Sequence, residues 1–293
     1  MNTPLRRVMV MLAAALLAVA GCGVPVKQEL DVVYGEADGQ KLMVDVFMPA
    51  MEAKGPRAAI VAIHGGAWRA GDRKECHDLA KGLAGQGYVV FAVGYRLARP
   101  DGNHWPAQLD DVQRAVRWVK ANASRFGIDP ERVGAAGGSA GGHLAACLGT
   151  QDTRDNSDKA LAGYSSRVKC VINMVGPTDL TDDFGPKVKD GPWTNEQIEV
   201  LLGGKVKDLP ELARSASPLL LVDAKTAPTL LVFGRKDPLV PLDHGVRYDA
   251  ALKKAGVDSR LFIHNGGHGL DDAAALVPFL AELDAFLKKH LAP

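Results

Sequence analysis

Short apolar runs alternate with helix-period patterns from about residue 58 to the end of the chain, and no other feature restricts the fold as strongly. The runs Ala58 to Ile63, Tyr88 to Val93, Arg132 to Ala136, Val168 to Val175, Thr229 to Phe233 and Arg260 to His264 are mostly continuous rather than alternating. That is the pattern of strands buried on both faces, as in a parallel sheet covered by helices. The intervening segments supply such helices. Leu109, Val112, Ala115, Val116 and Val119 recur at helical spacing behind Pro106, with Asp110 and Asp111 in the first turn, where acids favour the helix dipole. Leu276, Phe279, Leu280, Leu283, Phe286 and Leu287 form a second stripe ending at Lys288 and Lys289. Upstream, Asp31 to Val33 and Leu42 to Phe47 read as an antiparallel hairpin turning at Glu36-Ala37-Asp38-Gly39. The expected class is therefore α/β, a mostly parallel central sheet with helices on both faces. A length of 293 residues suits one such domain behind a leader, and 47% hydrophobic with 24% charged residues is ordinary globular usage. Disorder, collagen-like repeats and coiled coils are excluded.

The strongest chemical signal sits at one strand-to-helix junction. Gly137-Gly138-Ser139-Ala140-Gly141 comes directly after Arg132 to Ala136 and directly before an Ala-rich helix starting near Gly142-His143-Leu144. A G-x-S-x-G in that context is a nucleophile elbow: the sharp turn strains the serine backbone, and a Cβ at either flanking glycine would crowd neighbouring chain. The helix start also points backbone N–H groups at the site. His64-Gly65-Gly66-Ala67-Trp68 follows the strand Ala58 to Ile63, where an oxyanion loop belongs. Gly66 and Ala67 are the main candidate donors, joined by Ala140, and Gly65 could replace either loop donor. His64 is read as an anchor of this loop. A serine hydroxyl needs a base and an orienting acid. Asp237, in Gly234-Arg235-Lys236-Asp237-Pro238, would emerge at the end of the strand Thr229 to Phe233, with Asp243 as its rival. His268, in Gly266-Gly267-His268-Gly269, follows the strand Arg260 to His264 and is preferred as base over His264. His77, His104, His143, His244 and His290 are read as surface or supporting residues.

With the order Ser139, Asp237, His268 in place, the chain resembles the α/β-hydrolase superfamily, and within it the esterases related to hormone-sensitive lipase and the bacterial feruloyl or acetyl esterases of BD-FAE type. Leu42 to Pro49, Tyr95-Arg96-Leu97-Ala98, Trp105 to Val112 and Ile128-Asp129-Pro130 look like family segments, so the resemblance spans roughly residues 30 to 290. It departs at Ala67, where the lipase-like branch has a third Gly, and at Arg99-Pro100, where that branch has Pro-Glu. Ala67 keeps its backbone donor, and the two departures favour the polysaccharide-esterase-like branch. The resemblance implies a serine carboxylic ester hydrolase acting on short acyl esters, with acetyl or feruloyl esters of carbohydrates as candidate substrates. Aromatic residues make up 6% of the chain, which leaves little material for a long acyl tunnel. A broad carboxylesterase and, more remotely, a serine peptidase of the same fold are the alternatives. A silent binding protein on this scaffold would be expected to have lost Ser, His or an elbow glycine, and none is lost.

Residues 178–227 interrupt the strand-helix rhythm and read as a cap-like insertion, with a plain surface excursion as the alternative, and in them Phe184 and Trp193 stand among many polar residues. The catalytic domain is expected over 30–293. At the other end, Arg6 and Arg7 precede thirteen apolar residues, Val8 to Ala20, as in an export signal too short to span a bilayer comfortably. Ala18-Val19-Ala20 fits a secretory cleavage site, while Val19-Ala20-Gly21-Cys22 resembles the lipobox of bacterial lipoproteins, and the thiol of Cys22 favours the second. The expectation is a signal over 1–21, acylated Cys22, a short tether over 22–29, and an exported cell-envelope lipoprotein on the periplasmic face or outer membrane. Cys76, Cys147 and Cys170 have no disulfide or metal spacing, and no phosphate loop occurs, so no cofactor or metal is expected. Removing the first 21 residues leaves 33 basic against 34 acidic residues, a balance that gives nucleic acid nothing to bind.

Overall fold

The computed structural model describes residues 25–181 and 195–292. Its strands are β1 (Val26–Ala37), β2 (Gln40–Pro49), β3 (Arg57–Ile63), β4 (Val89–Val93), β5 (Ile128–Gly138), β6 (Val171–Met174), β7 (Thr229–Gly234) and β8 (Ser259–His264). They form one sheet in the order β1-β2-β4-β3-β5-β6-β7-β8. β2 runs antiparallel to both of its neighbours, and β4 through β8 are parallel. The principal helices are α1 (His77–Gly85), α2 (Ala107–Ala121), α3 (Ala140–Thr150), α4 (Asn195–Leu202), α5 (Pro210–Ser215), α6 (Asp243–Lys254) and α7 (Ala273–Leu291). The expected class, a mostly parallel sheet with helices on both faces, is what the structure has.

Continuous apolar strands serve two cores at once. Ala58, Ile60 and Ala62 of β3 join the cluster under α1 and α7, whereas Ala59, Val61 and Ile63 join the one under α2 and α3. Burying a side chain such as Ile60 completely is worth roughly 1.5–3 kcal/mol, and the central strands repeat this on both faces. α3 is buried at every residue from Ala140 to Thr150, and its small residues let it lie close against the sheet. A Cβ on Gly149, for example, would come within 2.8 Å of Val171 Cγ2.

Register then fixes which loops meet. Ile63 is opposite Gly137, so the loop leaving β3 lies beside the turn leaving β5. Gly234 is opposite His264, so the loops leaving β7 and β8 are neighbours as well. All four loops issue from the same edge of the parallel strands, the edge where open α/β sheets build their sites.

The boundaries expected from sequence move in three places. β1 begins at Val26, which pairs with Pro49, and Gln28 pairs with Phe47, so the ordered domain starts within the stretch assigned to a tether. β1 is an edge strand with half of its positions exposed, and its polar Lys27-Gln28-Glu29 hid it from a reading based on apolar runs. β5 starts four residues earlier than expected, at Ile128, and β6 is confined to Val171–Met174. The signal over 1–21, Cys22, Phe184 and Trp193 lie outside the described residues. Cys76, Cys147 and Cys170 are buried free thiols.

The described part of the insertion is fastened to the segment after β4. Trp105 N–H donates to Leu201 O at 2.6 Å, and its indole Nε1–H donates to Ser215 Oγ at 3.0 Å. Leu201, Ala213 and Ala216 are buried in the same core as α2 and α3. Among the described residues, no helix is long and apolar enough to cross a membrane.

Candidate active site

The turn between β5 and α3 holds Ser139 at φ 54° and ψ −122°, a conformation that a non-glycine residue adopts only when its surroundings enforce it. Two hydrogen bonds do so. Ser139 N–H donates to Met174 O at 2.8 Å, and Ser139 O accepts from His143 N–H at 3.0 Å. The flanking glycines make room: a Cβ on Gly137 would lie 2.8 Å from Gly142 N, and one on Gly141 would lie 2.6 Å from His64 O and 2.7 Å from Ile63 C.

His268 Nε2 stands 2.9 Å from Ser139 Oγ, and His268 Nδ1 stands 2.8 Å from Asp237 Oδ2. The carboxylate can accept but not donate, so Nδ1 carries the imidazole proton and the Nε2 lone pair faces the serine hydroxyl. Asp237 is held in turn: its Oδ1 accepts from Leu239 N–H at 2.8 Å and Val240 N–H at 3.0 Å, and its side chain is fully buried. The acid and base loops are stitched to each other. Arg235 N–H donates to His264 O, Lys236 N–H donates to Gly266 O, and Gly267 N–H donates to Asp271 Oδ1. Gly234 permits the approach, because a Cβ there would lie 2.5 Å from Gly266 O.

The rivals are elsewhere. His264 is buried, accepts Gly266 N–H through Nδ1 at 3.1 Å, and has its pKa lowered mainly by that burial. Asp243 is exposed in the first turn of α6.

The loop after β3 passes through three consecutive residues with positive φ: Gly66 at 109°, Ala67 at 52° and Trp68 at 60°. Gly66 O accepts from Arg69 N–H and Ala70 N–H, and Trp68 O accepts from Ala98 N–H at 2.8 Å, which closes the loop on itself and ties it to the segment after β4. Among the described residues, no acceptor is bonded to the amides of Gly65, Gly66, Ala67 or Ala140. His64 anchors the loop. Its ring stacks on Tyr95 at 4.2 Å, its Nδ1–H donates to Gly65 O at 2.8 Å, and Tyr95 O–H donates to its carbonyl at 3.1 Å. Burial pushes its pKa down to about 4, so it is neutral at ordinary pH.

Two histidines assigned to surface or supporting positions are deep in the molecule. His143 is fully buried in α3, with Trp68 on one ring nitrogen and Ala216 O on the other. His244 is buried in α6, where its Nδ1 accepts Thr178 N–H at 3.1 Å and holds the loop after β6. The available signal for His143 was a lone polar residue in an otherwise small and apolar helix. His244 had none, since its partner lies 66 residues away.

Taken together, a hydroxyl hydrogen-bonded to an imidazole nitrogen, a buried carboxylate behind it, and unengaged amides beside it can transfer an acyl group through serine. Among the described residues, no group of three or more His, Cys, Asp or Glu is gathered to hold a metal ion.

Comparison with known proteins agrees with this geometry. The BD-FAE family model matches residues 44–252, well over half of the chain. The chain belongs to the BD-FAE family. Esterase LipQ of Mycobacterium tuberculosis is 28% identical over 253 residues, covering 85% of this chain and 59% of LipQ, so the BD-FAE chain spans about three fifths of that relative's length. A thermophilic esterase of Thermogutta terrifontis, solved with propionate bound, superimposes with a TM-score of 0.74 at 28% identity over 93% of this chain and 97% of its own. An acetyl ester-xyloside bifunctional hydrolase of Caldicellulosiruptor lactoaceticus superimposes with a TM-score of 0.73 at 25% identity, over 92% and 96%. With neighbours of this kind, the eight-stranded sheet is an α/β-hydrolase fold.

Proposed function

We propose that this BD-FAE member is a serine carboxylic ester hydrolase in which Ser139 is the nucleophile, His268 the general base and Asp237 the acid that orients it. The observation that carries the reading is the unbroken line from Asp237 Oδ2 through His268 to Ser139 Oγ, at 2.8 and 2.9 Å, ending on a serine in strained backbone. Ser139 Oγ attacks the acyl carbon while His268 Nε2 takes its proton, and the carbonyl electrons move onto oxygen. The amides of Gly66 or Gly65, Ala67 and Ala140 stabilise that oxyanion. Collapse expels the alcohol, which leaves with the proton from His268. Water then attacks the acyl-enzyme, again losing its proton to His268, and the carboxylic acid departs as Ser139 is reprotonated.

The substrate class is a short acyl ester, with acetyl or feruloyl esters of carbohydrate as natural candidates and a broad carboxylesterase as the second reading. Support comes from the low aromatic content and from relatives described with propionate or as acting on acetyl esters. Residues 178–227 act as the cap that shapes this preference. The protein is exported and held to the cell envelope through acylated Cys22. Pro25 precedes β1 at the sheet edge opposite Ser139, because Val26 pairs with Pro49 while Val44 at the other end of β2 pairs with Val93. Three residues reach only about 11 Å. An anchor at Cys22 therefore turns the site away from the bilayer, toward soluble or polymeric esters rather than membrane lipids.

The test is a panel of p-nitrophenyl esters from acetyl to palmitoyl, acetylated xylan and methyl ferulate, run with a Ser139→Ala control. Acetyl and butyryl esters should have higher kcat/KM than decanoyl, and the control should be inactive. A kcat/KM rising up to sixteen carbons refutes the short-acyl reading. Good p-nitrophenyl acetate turnover with no acetate or ferulate released from carbohydrate leaves the broad carboxylesterase.

A further inference from the structure

His143 is one helical turn beyond Ser139 and has no exposure to solvent, yet both of its ring nitrogens are engaged by segments distant in sequence. Trp68 Nε1–H donates to His143 Nδ1 at 3.1 Å, which leaves Nε2 as the protonated nitrogen, and Nε2 stands 2.7 Å from Ala216 O. The indole meets the imidazole edge-on at 5.1 Å, and Trp105 leans on the same ring at 5.6 Å. Trp105 is itself bonded to Ser215. One imidazole thus touches the loop after β3, the helix that carries Ser139, and the strap from α5 to Ala216.

This arrangement answers a mechanical problem. Ala67 and Trp68 are side-chain-bearing residues in the left-handed region, where they remain only if their surroundings hold them. The Trp68 carbonyl is held by Ala98 N–H, and its side chain is held by His143. Burial keeps the imidazole neutral at ordinary pH by pushing its pKa down to about 4, so Nδ1 stays an acceptor there.

We propose that His143 is a positioning residue: through the Trp68 indole it fixes the oxyanion loop relative to Ser139, and through Ala216 it locks the strap to the same frame. The proposal rests on the reading of Gly66 and Ala67 as oxyanion donors. His143 touches no reacting atom, so its removal should act on transition-state stabilisation and leave substrate binding nearly unchanged.

The experiment uses the full chain with three single variants and one double. Trp68→Phe removes the donor, His143→Leu removes both ring bonds, and His143→Asn keeps an acceptor at the Nδ1 position while giving up Ala216. Readouts are kcat and KM on p-nitrophenyl butyrate, and the inhibition constant of an alkyl trifluoromethyl ketone, to which Ser139 Oγ adds, leaving the carbonyl oxygen as an oxyanion. Trp68→Phe and His143→Leu should each lower kcat about 10- to 100-fold with KM within about threefold, and the ketone should weaken in parallel with kcat/KM. The Trp68→Phe/His143→Leu double variant should be no worse than the poorer single, since the bond that Trp68→Phe breaks is already lost in His143→Leu. His143→Asn should recover part of the loss. The proposal is overturned if Trp68→Phe and His143→Asn both keep kcat within about twofold, if the double variant is additive, or if KM rises at unchanged kcat. Should His143→Leu not fold, the other two variants still decide. A wild-type chain that neither turns over the ester nor binds the ketone overturns the parent reading instead, and is distinguished by that result.

Discussion

Gly141→Ala is the sharpest perturbation of the site that leaves every proposed catalytic side chain in place. Gly141 is the second residue of α3, and a methyl group there would lie 2.6 Å from His64 O and 2.7 Å from Ile63 C, with Ile63 O closer still. Ordinary carbon contacts begin near 3.4 Å. The elbow and the end of β3 must therefore separate by about 0.8 Å or more. All three obstructing atoms are backbone, so no rotamer change can relieve the overlap. The end of β3 continues directly into the loop with Gly66 and Ala67, and the separation is transmitted to the donors. A donor about 1 Å out of place is a weak one, and losing one such donor costs about 10² to 10³ in rate. We expect kcat to fall about 100-fold, equivalent to roughly 2.7 kcal/mol, with KM little changed. Overpacking should also cost about 1–3 kcal/mol of stability. The comparison is Gly138→Ala, one position before the serine, where a Cβ meets nothing within 4 Å and φ is not positive. Its thermal midpoint should stay within about 1 °C of the parent. Steady-state kinetics on p-nitrophenyl butyrate and thermal melts of both variants measure this. The reasoning fails if Gly141→Ala keeps kcat within about threefold, or if the two alanines shift the midpoint equally.

Ser139→Ala or His268→Ala should lower kcat by about 10³ or more with little effect on the melt, and an organophosphonate should label Ser139; loss of turnover in His264→Ala with His268→Ala active would reverse the base assignment. Burial lowers His64 and His143 to about 4 and His244 to about 3, against an ordinary value of 6.5. Below 6.5 the unfolded chain binds more protons at these sites, so the stability they contribute is full above that pH and drains away toward pH 4, at up to about 1.4 kcal/mol per pH unit for each group. Unfolding free energy should fall steeply between pH 6.5 and 5, His244→Gln should reduce the slope by about one proton, and a flat profile refutes the neutral buried state. Under the proposed acylation of Cys22, the expressed protein should partition into detergent and Cys22→Ser should not; a Cys22→Ser form that stays fully membrane-bound refutes acylation.

How much of this was legible depended on whether the cause was local. Ala59 to Ile63 and Leu230 to Phe233 announce buried parallel strands because continuous apolar chain has no other stable place. The Ser139 turn announces itself because few residue types tolerate that backbone, and Asp237 and His268 follow because strand ends deliver residues to one edge. β1 was partly missed because an edge strand needs no apolar signature, and its ladder partner Pro49 is 23 residues from Val26. The roles of His143 and His244 were missed for a stronger reason. Their bonds join residues 75 and 66 positions apart, and nothing near either histidine encodes the partner.

The distribution of backbone strain leads to the same conclusion about what the local sequence does not decide. Among the described residues, seven non-glycine residues have positive φ, and Ala67, Trp68, Ser139 and Val175 among them lie just past the ends of β3, β5 and β6. Each such residue costs about 1–3 kcal/mol, so the group together is comparable with the whole stability of an ordinary domain. Asp31, Asp38 and Asn103 can be explained by the tolerance of Asp and Asn for that region, but Ala, Trp and Val have no such preference. Tertiary bonds hold three of the strained residues in place: Trp68 through Ala98 and His143, Ser139 through Met174, and Val175 through Val232. The apolar strands and close-packed α3 are what make that imposition affordable, because they anchor both sides of every strained turn. The site is therefore rigid for a reason located away from it, and a change that loosens α3 from the sheet should degrade catalysis before it unfolds the protein.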